Sequence, residues 1–305
     1  MKLDAFSIHV PASTANLGPG FDSVGLALNR YLSVHVRPAS EWKTVFYGEE
    51  LQSLNGEEQN LIIRAAQFTA KAYNKDLPPC RLDVESGFPL SKGMGSSASA
   101  IVAGIELADT LLNLQLTKKE KTLLASSLEK HPDNVIPAIY GGLTISFYNG
   151  KDVETVHVPD VAVEMIVAIP DEVLHTKESR KSLPNLLPFN KAVEASAISN
   201  VLVAAIIKND WQKAADMMNR DLFHEPFRTK NIPFYRELKE KAVSLGAYGA
   251  AISGSGPSIV FFTPHQKAAS ITEKLSYQYP DYLFETVFPD RKGAVVNKSL
   301  SAAAL

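Results

Sequence analysis

Three short windows of the chain gather glycines beside hydroxyl, amide and acidic side chains: PASTANLGPGFD at 11–22, PLSKGMGSSASA at 89–100 and AISGSGPSI at 251–259. They hold six of the 17 glycines, two in each. In the middle window a strand leads in, the glycines let the backbone curl with its amides exposed, and a helix begins at the serines. Free amides at a helix N-terminus, with the helix dipole behind them, make an anion site without net basic charge, and phosphate is its natural guest. Ser96 and Ser97 add hydroxyls, one for a phosphate oxygen and one for a metal ion, and Lys92 adds charge from the side. The first window presents Asn16 and Asp22, a neutral amide and an anion. Singly these are ordinary turn residues, and the third window alone reads as a hairpin. Three such loops in one chain read as walls of one site.

Two other phosphate motifs are separable from the middle window. A Walker loop needs Gly-Lys-Ser/Thr at a fixed spacing, which is missing. The dinucleotide pattern Gly-x-Gly-x-x-Gly/Ala is matched formally by Gly93, Gly95 and Ala98. About 20 residues further on, however, stands Leu116-Thr117-Lys118-Lys119 rather than a strand ending in an acid, so a dehydrogenase is a poor runner-up.

The elements that must carry these loops follow from periodicity. Alternation predicts strands at 6–10, stopped by Pro11, at 32–36 and at 44–47, as an early antiparallel sheet. Asn60 caps a predicted helix to about Asn74; a strand at 81–86 leads into the glycine loop, and a helix spans 96–112. Thr117 with Glu120 forms a capping box for a helix ending near Glu129. Strands at 142–148, 153–158 and 163–169 follow. The polar stretch 171–189, with Pro184 and Pro188, reads as a loop and an active-site flap. Helices at about 190–208, 211–219 and 233–245 and strands at 248–252, 258–262 and 284–288 complete the α+β second half.

Composition bounds the partners. With 305 residues, two domains are the expectation, and 45% hydrophobic with 21% charged residues is the balance of a globular protein. Lys plus Arg number 31 against 33 Asp plus Glu, a net charge of -2, which argues against nucleic acid or an anionic membrane as the main partner. The single Cys80 forms no internal disulfide, the first residues lack the pattern of a signal peptide, and a cytoplasmic location is expected. Runs such as Val163 to Ile169 and Val201 to Ile207 fall short of the roughly 20 residues that span a bilayer, so no membrane span is expected.

In order and spacing the three windows resemble the motifs of the galactokinase, homoserine kinase, mevalonate kinase and phosphomevalonate kinase (GHMP) superfamily. The form of Pro11–Asp22, together with His131-Pro-Asp-Asn-Val135, resembles the homoserine kinase branch. The resemblance spans nearly the whole chain and implies a two-domain α+β kinase. Residues 1–158 would form the ATP-binding domain with an unusual left-handed βαβ crossover, and 159–305 a ferredoxin-like α+β domain. ATP would rest its phosphates on Leu90, Ser91, Lys92, Gly93, Met94, Gly95, Ser96, Ser97, Ala98, Ser99 and Ala100, with Asn60 and Arg64 on the adenine side. Mg2+ would sit between Ser97 and Glu129, where one hydroxyl, one carboxylate and phosphate oxygens satisfy a hard cation.

The substrate implied is L-homoserine, phosphorylated on its hydroxyl in threonine biosynthesis. Asp22 would meet its ammonium, and Arg180 and Arg228 its carboxylate, since arginine matches carboxylates bidentately. Asn16 would hold the reactive hydroxyl, with His131, Asn134 and Thr176 supporting it and Gly254 and Ser255 contributing from the third loop. No lysine lies between Ile8 and Asp22, so the hydroxyl is expected to attack directly, aligned by Asn16 and Asn134 without a strong general base. Relatives of this kind are often dimers, so a homodimer is part of the expectation. Two departures stand out: Lys130 replaces a common glycine before His131, and Met94 a common leucine. Asp133 reads as a turn residue. Alternatives are a kinase of the same superfamily with a mevalonate-like acceptor, and a nucleotide-binding regulator without turnover.

Overall fold

The structure is a computed structural model that describes residues 4–48, 51, 60–172 and 176–298. In chain order the first half runs β1 (Phe6–Ala15), β2 (Val24–Pro38), β3 (Lys43–Tyr47), α1 (Leu61–Ala72), β4 (Cys80–Ser86), α2 (Ser96–Leu112), α3 (Lys118–Glu129), α4 (Val135–Tyr140), β5 (Leu143–Tyr148) and β6 (Val153–Val158). The second half runs β7 (Glu164–Pro170), α5 (Thr176–Lys181), α6 (Phe189–Ile207), α7 (Trp211–Met218), α8 (Glu225–Arg228), α9 (Tyr235–Ser244), β8 (Gly249–Ile252), β9 (Ile259–Thr263), α10 (Ala268–Gln278), β10 (Tyr282–Val287) and β11 (Val295–Asn297).

One sheet has the order β11-β1-β2-β4-β3, with β5 and β6 branching from the start of β2. Pro11 does not stop β1. It sits where the pairing with β2 shifts register, between Pro11 and Ala12, and a residue without an N–H is tolerated at such an irregularity. The strand therefore runs on to Ala15 and delivers Asn16 directly. The third strand also departs from expectation: β3 pairs with β4 in parallel, with α1 between them, so it closes a βαβ unit instead of extending an antiparallel meander. Alternation identifies a strand but not its direction.

The second sheet is antiparallel throughout, in the order β10-β7-β9-β8. Strand, helices, two strands, helix and strand in that arrangement form the ferredoxin-like unit. Every residue of β7 is buried because helices cover both faces. Met165 and Val167 join a core with Leu202 and Trp211 of α6 and α7, while Ile166 and Ala168 face Leu238 of α9 and Ile271 and Leu275 of α10. After β10 the chain returns to the first sheet: Asn29 N donates to Phe288 O, Asp290 N to Ala27 O, and β11 pairs with β1.

Several elements escaped periodicity. Residues 176–181 are the helix α5 inside the stretch read as a loop, and α4 carries Pro137 within its first turn, where proline is tolerated. α6 has 19 residues, a mean hydropathy of 1.3 and only 22% of its apolar window buried, with Phe189, Val193, Val201 and Ile207 exposed. Val201 to Ile207 is thus the end of a helix that, by length and composition alone, is long enough to cross a membrane.

Candidate active site

The three glycine windows meet, and backbone hydrogen bonds tie them together. Ser13 N donates to Met94 O, Gly254 N to Ala15 O, and Ser258 N to Lys92 O. Ser253 Oγ reaches Gly93 O at 2.6 Å and Thr14 Oγ1 at 3.0 Å. This closeness explains the glycines. A Cβ on Gly93, at φ 84°, would stand 2.4 Å from Ser253 O; one on Gly95, at φ 72°, would stand 2.4 Å from Ser13 Oγ. Only glycine suits both the left-handed backbone and the contact.

Gly95 caps α2 without any side-chain hydrogen bond, so the first amides of this 17-residue helix face the cleft unengaged by a cap. Ser99 and Met94 are buried and structural: Ser99 Oγ donates to Pro11 O, and Met94 packs in the core beside Ala98. Beside the loop lies an apolar pocket of about 240 Å3, walled by Leu32, Phe46, Leu61, Phe88, Leu90 and Ala100 and shared with Ser91, Ser96 and Ser97. An aromatic base could bury itself there while its phosphates lie on the helix N-terminus. Asn60 lines this pocket, but its side chain is committed to capping α1, accepting from Ile62 N and Ile63 N and donating to Thr44 Oγ1. Two expectations fail on this side. Arg64 is exposed and lines neither cavity, because α1 turns it to the outer face. The Lys92 ammonium is held by three carbonyls, Pro170 O, Asp171 O and Glu172 O at 2.6–2.9 Å, and clamps the loop to the end of β7 instead of facing the cradle.

The cleft proper, about 140 Å3, is lined by Asn16, Phe21, Asp22, Glu129, His131, Asp133, Asn134, Arg180, Arg228, Gly254 and Ser255 together with the serines of the loop. Ser97 Oγ donates to Glu129 Oε2 at 2.9 Å. Burial raises the pKa of Glu129, offset in part by the His131 charge and the Ser97 hydroxyl. A half-buried carboxylate beside a hydroxyl, both open to the phosphate cradle, is a donor set that fits Mg2+, with phosphate oxygens and water completing it. No cluster of three or more His, Cys, Asp or Glu among the described residues offers a metal site of its own.

Asn16 is a strut as well as a wall. Its Nδ2 donates to Gly254 O at 2.9 Å and its Oδ1 accepts from Asp22 N at 3.0 Å, which leaves one amide hydrogen for a ligand. Asn134 Nδ2 is anchored on Ser13 Oγ at 3.0 Å, and its Oδ1 has no partner among the described residues. Asp22 and Arg180 pair with one another at 2.7 Å, acid to guanidinium, across the mouth. Arg228 is 2% exposed; burial and the charge of Arg180 lower its pKa to about 10, so it stays charged at neutral pH. Thr176 opens α5, and its side chain lies outside the described residues. Lys130 ends α3 at φ 76°, ψ -6°, a left-handed cap that favours glycine, and so holds Glu129 and His131 on either side of a tight turn.

Three contributors were not singled out from sequence. Asp133 is no mere turn residue: its Oδ1 lies 2.8 Å from His131 Nδ1. Burial alone would lower the His131 pKa, yet the Asp133 hydrogen bond and the charges of Asp133, Glu129 and Asp22 outweigh it and lift it to about 9. At neutral pH the cleft therefore holds an imidazolium. Phe21 contacts both arginines, with Arg180 at 5.5 Å and Arg228 at 5.4 Å from its ring centroid. His224, four residues before Arg228, contacts both Phe21 and Arg228. An acid two residues from a histidine, and a histidine one helical turn from an arginine, are the patterns that could have flagged them.

Fold and site together define a class. The chain matches the GHMP kinases N-terminal domain over residues 60–142 and the GHMP kinases C-terminal domain over 202–281, which makes it a kinase of that type. It is 46% identical over 293 residues to a homoserine kinase of Bacillus cereus, spanning 96% of this chain and 97% of the relative. A homoserine kinase of Shouchella clausii is 44% identical over 294 residues, spanning 96% and 98%. The crystal structure of a Cytophaga hutchinsonii homoserine kinase superposes with a TM-score of 0.86 at 25% identity, covering 97% of this chain and 98% of that one. The Methanococcus jannaschii mevalonate kinase, at 16% identity and TM-score 0.72 over 93% and 98%, shares the fold. The chain belongs to the homoserine kinase family.

Proposed function

We propose that this chain transfers the γ-phosphoryl group of ATP to the hydroxyl of L-homoserine, giving O-phospho-L-homoserine and ADP, a step of threonine biosynthesis. The observation that carries the reading is one cleft in which Asp22, Arg180 and Arg228 stand beside a phosphate cradle. A zwitterion fits this set. Its ammonium takes Asp22 and its carboxylate takes Arg180 and Arg228, so that the Asp22–Arg180 pair is exchanged for two pairs with the ligand. A mevalonate-like acceptor has no ammonium and would offer Asp22 no partner of its own. Asn16, through its spare amide hydrogen, and Asn134, through Oδ1, orient the hydroxyl.

The hydroxyl oxygen forms a bond to the γ-phosphorus as the bond to the β–γ bridging oxygen breaks, and the hydroxyl proton passes to an oxygen of the transferred group. Protonated His131 is no base at neutral pH; with the α2 amides it lowers the energy of charge gathering on the phosphoryl oxygens. Ser97 and Glu129 would hold Mg2+, which supplies further charge neutralisation when bound. With this reading go a cytoplasmic location, a homodimer, and no role for nucleic acid or membrane.

ADP release is measured with homoserine, mevalonate and galactose as acceptors, with and without Mg2+. Turnover confined to homoserine and dependent on the metal is expected. Preference for mevalonate, or ATP binding without turnover of any acceptor, would overturn the reading.

A further inference from the structure

We propose that His224 is a positioning residue for the acceptor side: its neutral imidazole accepts a hydrogen bond from the Arg228 guanidinium and thereby aims that guanidinium at the substrate carboxylate. The proposal rests on the reading of Arg228 as the carboxylate partner.

The backbone beneath His224 is held independently of it. Asp221 accepts from Phe223 N, His224 N and Glu225 N, and Glu225 accepts from Ile252 N and Tyr235 OH, which fastens the four-residue α8 to β8. On that support the imidazole is fully buried, stacked on Phe21 with ring centroids 5.4 Å apart at 25°. Its Nε2 lies 3.0 Å from Gly18 O and its Nδ1 lies 3.2 Å from Arg228 Nη1. A carbonyl can only accept and a guanidinium can only donate. One state of the ring satisfies both: neutral, with the proton on Nε2 and the lone pair of Nδ1 turned to Arg228. Burial and the Arg228 charge keep the ring neutral against the pull of Asp221 and Asp133.

The consequence falls on the arginine. Nη1 is held twice, by His224 Nδ1 and by Gly254 O at 3.1 Å. Nε is buried and has no partner among the described residues, which is a local cost of holding the guanidinium here. Anchoring Nη1 leaves Nη2, which has no partner among the described residues, to meet the carboxylate. Both guanidinium groups also contact the Phe21 ring, Arg180 at 5.5 Å and Arg228 at 5.4 Å from its centroid.

Two substitutions separate this role from a mere loop tie. His224→Asn keeps an acceptor where Nδ1 stands but loses the donor to Gly18 O, and His224→Gln keeps a donor near Nε2 but loses the acceptor for Arg228. His224→Gln is expected to raise the KM for homoserine roughly ten- to hundredfold with the KM for ATP within about twofold, and His224→Asn to stay within about threefold of wild type. In an Arg228→Ala background neither should lower kcat/KM for homoserine further. Equal effects of Asn and Gln, a parallel rise in the KM for ATP, or an additive loss on Arg228→Ala would each overturn the proposal. Absence of wild-type turnover with homoserine would strike the functional reading alone. In that case, or if both variants fail to fold, nitrogen NMR of the wild-type His224 ring decides. An Nε2–H tautomer with Nδ1 accepting upholds the proposal, and a proton on Nδ1 ends it.

Discussion

The two sides of the cleft are built from different materials. The nucleotide side is backbone: amides at the start of α2, glycines pressed against neighbouring carbonyls, and an apolar pocket behind them. The acceptor side is side chains held in pairs: Asp22 with Arg180, His131 with Asp133, Arg228 with His224. A backbone cradle is common to any phosphate donor and carries little information about the acceptor. In the proposed reading, the paired charges match one arrangement of ammonium, carboxylate and hydroxyl. Affinity for the donor and discrimination among acceptors are therefore separable by mutation.

Arg228→Ala should be the largest test of that separation. It should reduce kcat/KM for homoserine roughly a hundred- to thousandfold, as expected for losing a buried charge partner, with ATP affinity by calorimetry close to wild type. Equal losses on both substrates would show that the two sides are one unit. The next effect is one of pH. Burial holds the His224 pKa below its usual value, so as pH falls below about 6.5 the unfolded chain takes up a proton that the folded chain refuses, and stability declines. Urea unfolding should lose up to about 1.4 kcal/mol per pH unit from this residue between pH 6.5 and about 4 and nothing above 6.5, a slope that His224→Asn removes. A third change is stabilising: Lys130→Gly relieves a left-handed backbone and should add about 1 kcal/mol in the same unfolding measurement. The smallest effect probes the nucleotide side. Lys92→Ala should leave the KM for ATP within about twofold, because its ammonium is spent on three carbonyls; a tenfold rise would return it to the phosphates.

Legibility followed the same division. Gly93, Gly95 and the serines made the curled loop ahead of a helix readable because the required chain curvature is local and glycine is its mark in sequence. The helix starts at Asn60 and Thr117 were readable for the same reason, since capping involves residues two or three apart. Arg64 and Lys92 misled because an arginine or lysine near a loop has several directions open to it, and only packing selects one. Asp133 and His224 stayed hidden because their value lies in the partner each one meets.

Local patterns along the chain were enough for the three curled loops, the α+β alternation and, through the motifs those loops resemble, the kind of chemistry. Each depends on contacts within a few residues or on periodicities of 2 and 3.6. Packing of distant segments set β3 parallel to β4, returned β11 to β1, and brought residues 22 and 180, and 18, 224 and 228, onto one wall. These depend on which surfaces exclude water together, and no local pattern encodes that choice.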